Sequence, residues 1–324
     1  MHKVFKTASA LLLVASMLPY LIPTRHKLTQ LPAQPFPEST YLWIDGVQMH
    51  TRIWQPTAPL VGKVLLVHGF GGSTFSWRHN VEPLVSEGYF VVAADLPGFG
   101  YSDRAARDVA GHAERGALLW SLLTQIEMRY AHTDARWHLM GHSMGGGAVA
   151  TMSVQEPKRT ASLTVVAGAL FSTTRRGHWL LGLPPVQRGF NVALVHVLAT
   201  PANIERFLGS AYGRLPTADE IEGYLAPLRV VGTGNMLYGL ARRSRHVPLE
   251  SLAAEAFPVL AVWGEKDSWV PIAQGERLRQ VVERTNFVEI QGAGHCPMET
   301  HFTEFNKLVL AFLRDADAKE VSPH

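Results

Sequence analysis

The chain has 324 residues, 47% of them hydrophobic, and a formal net charge of +3. A chain of this size can bury a large core. Its charge is small and no dense basic block occurs, which argues against a nucleic-acid partner. Cys296 is the only cysteine, so an intrachain disulfide is excluded. The 15 histidines show no zinc-type spacing, and we expect no metal.

Residues 7–24 form an uncharged, mostly apolar run between Lys3 and Lys6 on one side and Arg25 and Lys27 on the other. Its length is at the short end of the roughly 17–25 residues that a transmembrane helix needs. We interpret it as an uncleaved anchor, so that the protein is membrane-associated through its N-terminal segment. A cleaved export signal and a helix packed on the protein are the alternatives. The flanking charges are balanced and leave the side of the membrane open.

Strand-like and helical segments alternate from residue 41 onward. The hairpin pattern at 41–54 centres on Asp45-Gly46, a sequence typical of tight turns. The segments that follow in order are a strand at 64–67, a helix at 81–87, strands at 90–94 and 137–140, a helix at 112–130 between those two strands, strands at 163–167, 259–263 and 286–290, and helices at 271–282 and 301–313. This alternation predicts an α/β fold with a mostly parallel sheet flanked by helices.

A nucleophile is indicated where the strand at 137–140 runs into Gly141-His142-Ser143-Met144-Gly145 and then into a helical segment. Strand, sharp turn and helix form the context in which G-x-S-x-G marks a nucleophile elbow. A Cβ at either outer glycine would collide with the neighbouring strand or helix. The following helix N-terminus favours developing negative charge near Ser143. A glycine-rich loop that matches the pattern by chance is the alternative.

A serine hydroxyl needs a base, an orienting acid and oxyanion donors before it can act as a nucleophile. Asp267 follows the strand at 259–263, and His295 follows the strand at 286–290. Both therefore lie just past the carboxyl end of a strand, where open α/β sheets build their sites. The glycine-rich turn after the strand at 64–67 can aim an N–H at the same point as the N–H of Met144. We predict a catalytic triad of Ser143, Asp267 and His295.

Five segments together resemble the α/β-hydrolase family, in its cap-bearing branch of esterases, C–C bond hydrolases and epoxide hydrolases. They are HGFGG at 68–72, DLPGFGYS at 95–102, GHSMG at 141–145, WGEKD at 263–267 and GH at 294–295. The resemblance implies an α/β-hydrolase fold, oxyanion donors at the N–H groups of Phe70 and Met144, and no cofactor. The epoxide hydrolases and haloalkane dehalogenases of this branch use an aspartate at the elbow, whereas this chain has Ser143.

The interval between the strands at 163–167 and 259–263 is too long for one crossover helix, and the resemblance implies a helical cap there. We therefore expect an anchor and proline-rich spacer at 1–40, a hydrolase core at 41–170 and 251–314, a cap at 171–250 and a polar tail at 315–324. Candidate pocket residues are Phe70, His142, Trp179 and Phe190, although ordinary packing explains the apolar cap residues equally well.

The sequence therefore predicts a serine hydrolase that cleaves carboxylic esters of moderately hydrophobic acyl groups through an acyl-enzyme on Ser143. C–C bond, thioester or amide hydrolysis, or cofactor-free haloperoxidase chemistry, would use the same triad. A binding protein without catalytic activity on the same fold is the alternative from another class, because fold alone does not decide function.

Overall fold

The computed structural model describes residues 16–24, 28–104, 111–132, 135–171, 183–235 and 247–321. Eight strands form one sheet in the order β1-β2-β4-β3-β5-β6-β7-β8. The pairs β1·β2 and β2·β4 are antiparallel, and the other neighbours are parallel. The strands are β1 (Ser39–Ile44), β2 (Val47–Trp54), β3 (Gly62–Val67), β4 (Tyr89–Ala94), β5 (Trp137–His142), β6 (Thr160–Val166), β7 (Val259–Gly264) and β8 (Thr285–Ile290).

Helices flank this sheet, which confirms the predicted fold class. They are α1 (Val81–Ser86), α2 (His112–Tyr130), α3 (Met144–Gln155), α4 (Pro184–Ala193), α5 (Pro201–Tyr212), α6 (Ala218–Leu228), α7 (Leu249–Ala254), α8 (Ala273–Val281), α9 (Pro297–Thr300) and α10 (Phe302–Val321). Helix α2 has the predicted bounds. Helix α3 begins at Met144, directly after Ser143, so the glycines that follow the nucleophile belong to its first turn.

The hairpin of β1 and β2 turns at Asp45 and Gly46, as the sequence predicts. Ile44 pairs with Val47 across the turn. Asp45 has φ +49° and Gly46 has φ +79°. Two successive residues with positive φ are what a two-residue hairpin turn of type I′ requires, and aspartate followed by glycine is a favoured pair for it.

The core lies on both faces of the sheet. Every residue of β3, β4, β5, β6 and β7 is buried. Side chains alternate between the faces along each strand, so Leu65 packs in one apolar cluster with α2 and α3, whereas Leu66 packs in the other with α1 and α10. Strands buried on both faces read as continuous apolar runs, which is typical of parallel sheets covered by helices.

The described part of the chain between β6 and β7 is helical and includes α4 to α7. The chain before β1 lies along these helices. Arg188 on α4 donates hydrogen bonds to the carbonyl oxygen of Pro19 (3.1 Å) and the hydroxyl of Thr24 (3.1 Å). Thr29 pairs with Val230 in an isolated parallel bridge. These contacts attach the N-terminal segment to the insertion.

Within the described ranges, no helix is both long and apolar enough to cross a membrane. Residues 7–15 of the predicted anchor lie outside those ranges. Its described end contains a short 3₁₀ helix (Leu18–Leu21) in which Leu21 is 78% exposed.

Candidate active site

Ser143 occupies a strained turn between β5 and α3. Its φ is +50° and its ψ is −115°, a region that a residue with a side chain enters only when the surroundings impose it. The N–H of Ser143 donates to the carbonyl oxygen of Val166 on β6 (2.9 Å), which fixes the turn against the neighbouring strand. The backbone thus has the geometry that the G-x-S-x-G motif predicts.

The two outer glycines of that motif allow three pieces of backbone to meet. A Cβ on Gly141 would collide with the carbonyl group of Gly145. A Cβ on Gly145 would lie 2.5 Å from the carbonyl oxygens of Val67 and His68 at the end of β3. Any larger residue at either position would push the helix away from the strands, because the obstructing atoms belong to the backbone.

Asp267 and His295 form a hydrogen-bonded pair at the ends of β7 and β8. The Nδ1 of His295 lies 2.8 Å from Oδ2 of Asp267. The other carboxylate oxygen, Oδ1, accepts the main-chain N–H groups of Trp269 (2.8 Å) and Val270 (3.0 Å). The carboxylate is therefore held from two sides, and it makes Nδ1 of His295 the protonated nitrogen.

Close backbone contact brings these two loops together. The N–H of Lys266 donates to the carbonyl oxygen of Ala293 (2.8 Å). A Cβ on Gly264 would collide with the carbonyl oxygens of Ala293 and Gly294. Glycine at the end of β7 thus permits the approach that places Asp267 beside the histidine.

His142 lies between the elbow and the His295 loop. Its ring centroid is 4.7 Å from that of His295, and its Nε2 lies 2.9 Å from the carbonyl oxygen of His295. Burial and the neighbouring His295 lower the pKa of His142 well below its ordinary value. We therefore assign a neutral ring that donates from Nε2. This makes His142 a support for the His295 main chain rather than a second base.

Ser143 and His295 are brought to the same edge of the sheet without a direct hydrogen bond. The elbow places Ser143 next to His142, which contacts His295. Between these two described residues, no hydrogen bond joins the serine hydroxyl to the imidazole. Catalytic hydrogen bonds are often long in unliganded enzymes and shorten when the substrate binds.

The predicted oxyanion donors lie next to the nucleophile. A hydrogen bond from the N–H of Gly72 to the carbonyl oxygen of Gly69 (3.2 Å) closes a tight turn around Phe70. A Cβ on Gly69 would lie 3.0 Å from the Cβ of Ser143. Among the described residues, the N–H groups of Phe70 and Met144 donate to no backbone carbonyl. Both remain available to a developing oxyanion.

The four candidate pocket residues have different surroundings. Phe70 is 38% exposed, and its ring packs edge-on against Phe99 with 5.7 Å between centroids. His142 is buried beside His295. Phe190 is partly buried on α4, and no described contact links it to the triad residues. Trp179 lies outside the described residues. The pocket roles of all four stay predictions.

Helix α5 supplies contacts that the sequence did not reveal. The indole of Trp269 stacks on His295 (5.5 Å between centroids), and the ring of Phe207 packs edge-on against Trp269 (4.7 Å). The carbonyl oxygen of Ala211 accepts the N–H of His295 (2.6 Å). The sequence could have indicated Trp269 as a neighbour of the site, because it follows Asp267 by two residues. Nothing in the sequence could have indicated the contacts of α5, because this helix lies far from His295 in the chain.

A second Ser–His–Asp arrangement joins the two hairpin strands to the loop after β4. Ser39 Oγ is 2.8 Å from Nε2 of His50, whose Nδ1 is 2.7 Å from Oδ2 of Asp95. The Ser39 hydroxyl accepts the N–H of Phe36 (3.0 Å), and Asp95 also accepts the N–H of Tyr101 (2.7 Å). Burial raises the pKa of Asp95, but His50, His68 and the N–H of Tyr101 together outweigh it, so the pKa of this carboxyl lies below its ordinary value. These contacts fasten loops together, and we assign the arrangement a structural role.

No group of three or more His, Cys, Asp or Glu side chains in the described ranges is arranged to hold a metal ion. The absence of a cofactor stays a prediction.

Residues 63–302 match the protein family described as alpha/beta hydrolase fold. The chain is 31% identical over 258 residues to the dihydrolipoyllysine-residue acetyltransferase component of the acetoin cleaving system of Pseudomonas putida, covering 78% of this chain and 63% of that protein. It is 26% identical over 264 residues to the 2-hydroxy-6-oxononadienedioate/2-hydroxy-6-oxononatrienedioate hydrolase of Escherichia coli (strain K12), covering 77% of this chain and 86% of that protein.

Among solved structures, the fold is similar to that of a membrane phospholipase A described as a novel bacterial virulence factor. The TM-score is 0.68 at 23% identity, covering 98% of this chain and 99% of that chain. At this identity the similarity shows the fold alone. The chain spans less than two thirds of the acetyltransferase component, so the activity of that whole protein does not transfer by similarity.

Proposed function

Because this chain belongs to the α/β-hydrolase fold family, we propose that it is a serine hydrolase that cleaves carboxylic esters of moderately hydrophobic acyl groups. The observation that carries the proposal is the strained elbow at Ser143, with free N–H groups beside it and the Asp267–His295 pair at the same edge of the sheet. A buried loop without a catalytic task would not need a strained serine.

In the proposed reaction, Ser143 Oγ attacks the acyl carbonyl while Nε2 of His295 accepts its proton. Asp267 holds the imidazole in the tautomer that leaves Nε2 free, and it stabilises the imidazolium that forms. The N–H groups of Phe70 and Met144 donate to the oxyanion of the tetrahedral intermediate. His295 then protonates the departing alcohol, which leaves an acyl-enzyme on Ser143.

Water completes the cycle by the same steps. His295 takes a proton from water, the resulting hydroxide attacks the acyl-enzyme, and the proton returns to Ser143 as the carboxylic acid leaves. This route needs no cofactor. The loop after β6 offers Gly168, Ala169 and Leu170, none of which has a carboxylate. That composition supports Asp267 as the acid of the triad.

A C–C bond hydrolase is the second candidate, favoured by one observation. The Escherichia coli relative named as a 2-hydroxy-6-oxononadienedioate/2-hydroxy-6-oxononatrienedioate hydrolase is covered over 86% of its length. Thioester or amide hydrolysis and haloperoxidase chemistry are further uses of the same three side chains. A binding role without catalysis would leave the strained elbow unexplained.

One experiment separates these candidates. The full chain is treated with a fluorophosphonate, the labelled peptide is mapped, and turnover is measured on a chain-length series of p-nitrophenyl esters. We expect labelling at Ser143 and hydrolysis of medium-chain esters. Labelling without ester turnover would favour C–C bond, thioester or amide hydrolysis or haloperoxidase chemistry, and no labelling would favour a binding protein. Ser39→Ala is the matched control, since it removes the hydroxyl of the other Ser–His–Asp arrangement and should leave labelling unchanged.

For localisation, we propose that the N-terminal run at 7–24 attaches the protein to a membrane. Its uncharged sequence supports this, and so does the exposure of its described end, where Met17, Leu18 and Leu21 are more than half exposed. Cleavage as an export signal is the alternative. Sequencing the mature N-terminus tests cleavage, because a chain that retains Lys3 and Lys6 has not lost an export signal. Sedimentation of the full chain with membranes then separates an anchor from a helix packed on the protein.

A further inference from the structure

Glu299 stands at the centre of a buried polar cluster close to the proposed active site. Its Oε2 accepts the hydroxyl of Tyr212 (2.7 Å), its Oε1 accepts the hydroxyl of Tyr224 (2.5 Å), and Arg78 donates to Oε2 as well. The side chain of Glu299 is fully buried. We call Arg78, Tyr212, Tyr224 and Glu299 the Glu299 cluster.

The cluster joins two parts of the fold. Tyr212 is the last residue of α5 and Tyr224 lies on α6, both in the insertion between β6 and β7. Glu299 lies on α9, and Arg78 follows the strand β3, both in the sheet-bearing part. Arg78 also donates to Glu220 on α6 (3.0 Å), so Tyr212, Tyr224 and Arg78 all tie this carboxylate to the insertion.

Burial raises the pKa of the Glu299 carboxyl above its ordinary value, and Arg78 and the two tyrosine hydroxyls offset only part of that rise. Both carboxyl oxygens are nevertheless hydrogen-bonded, and a guanidinium lies beside them. A buried charged group is tolerated when it is paired and its oxygens are hydrogen-bonded. Removing one such partner is costly, because the remaining groups stay buried without it. The contact is therefore resistant to separation.

The same end of α5 also holds His295 directly. The carbonyl oxygen of Ala211 accepts the N–H of His295 (2.6 Å). A Cβ on Gly294 would collide with that carbonyl oxygen, so the loop lies tightly against the helix end. Ala211 precedes Tyr212 in the chain, and Glu299 follows His295 by four residues. The histidine loop is thus held between a helix end and the carboxylate that fixes that helix.

We propose that Glu299 is a positioning residue which couples the insertion to His295, so that α5 and the catalytic base move as one unit. This inference rests on the proposed function, because it assigns His295 the task of activating Ser143. A substrate that displaces α5 would shift the imidazole, and docking of α5 would return it. Glu299 itself touches no reacting atom and acts through Tyr212 and the His295 main chain.

A carboxylate is needed at this position because it offers acceptor oxygens to three donors at once. Glutamine has the same shape but no charge and only one acceptor oxygen, so Arg78 loses its ion pair and Tyr224 has to turn its hydroxyl and accept from the amide NH₂ instead of donating. Glu299→Gln therefore loosens the cluster without leaving a cavity. Tyr212→Phe removes one of the same hydrogen bonds from the opposite side and tests the same connection.

The chain offers a matched control in Glu127. This partly buried glutamate accepts hydrogen bonds from Lys63 (2.7 Å), Trp137 (2.7 Å) and Arg159 (2.8 Å). Lys63 and Trp137 lie at the beginnings of β3 and β5, so this network is at the sheet edge opposite the site. Glu127→Gln should lower thermal stability in a similar way while leaving the site in place.

The test measures two things in the full-length variants, after each has been shown to be folded. They are the rate at which a fluorophosphonate labels Ser143, and kcat and KM for a short ester. Shifts of about 1 Å at a catalytic group can cost ~10²-fold. We expect Glu299→Gln and Tyr212→Phe each to slow labelling and kcat by about 10–100-fold with little change in KM. The double variant should be little slower than Glu299→Gln alone, because residues of one network are not additive. Glu127→Gln should label at the wild-type rate.

Two results would overturn the coupling while leaving the proposed function intact. One is that the wild type is labelled normally and that Glu299→Gln is labelled as fast as Glu127→Gln. The other is a double variant whose loss is the product of the two single losses. A wild-type chain that is not labelled at all would instead overturn the proposed function, and the coupling with it.

Discussion

Replacing Asp267 by asparagine tests the proposed triad most directly, and the hydrogen bonds around this side chain predict how the new amide lies. Oδ1 accepts two main-chain N–H groups, from Trp269 and Val270. An asparagine that keeps both bonds must place its NH₂ group where Oδ2 now faces His295. The opposite orientation would set the NH₂ group against two donors and lose both bonds, each worth roughly 0.5–1.5 kcal/mol between neutral groups.

In the favoured orientation the amide donates to Nδ1 of His295, which forces the ring proton onto Nε2. That nitrogen can then no longer accept the proton of Ser143. We expect Asp267→Asn to lower kcat by ~10⁴, which corresponds to about 5.4 kcal/mol of transition-state stabilisation. The assay is p-nitrophenyl ester turnover together with the rate of Ser143 labelling by a fluorophosphonate.

Stability measurements complete this test, because Asp267→Asn keeps the two main-chain bonds and Asp267→Ala loses them. Thermal or urea unfolding should show the alanine variant less stable than the asparagine variant by about 1–3 kcal/mol, with similarly low activity. Asp95→Asn should have the opposite profile, a clear loss of stability with little loss of kcat. Activity of Asp267→Asn within tenfold of wild type, or a dominant kinetic effect of Asp95→Asn, would refute our assignment of the acid.

Three further outcomes are expected. Ser143→Ala and His295→Ala should each remove ~10⁶ of turnover, and the double variant should be little worse, since such residues act as a unit; a much slower double variant would contradict that. Phe70→Ala should stay active and change its ester preference in the chain-length series, because its predicted oxyanion donor is the main-chain N–H. A 10²–10³-fold loss with unchanged preference would contradict this division of roles. A chain shortened to begin near Pro35 should no longer sediment with membranes and should keep its rate on short esters, whereas it should hydrolyse long-chain esters more slowly. If the shortened chain still sedimented with membranes, the anchor at 7–24 would be refuted.

The sequence by itself determined the features that depend on neighbouring residues. The turn at Asp45 and Gly46, the bounds of α2 and the elbow at Ser143 follow from short-range sterics and from the spacing of apolar residues. The parallel pairing of β3 to β8 follows from the same alternation, because a parallel strand pair needs a crossover connection between its members. The order of the strands in the sheet was not predicted. Asp267 and His295 were predicted from their places just past two strands.

Only the tertiary structure decided which distant groups meet. Tyr212 and Glu299 are 87 positions apart, and Ala211 reaches His295 through a backbone carbonyl, which every residue type possesses. Neither of these two contacts therefore can be predicted from residue type or from spacing along the chain. Ser39, His50 and Asp95 show the converse, because residue types that suggest a triad assemble where each atom is already used for fastening loops. Local sterics are encoded by neighbours along the chain, whereas such contacts depend on how whole helices and strands pack.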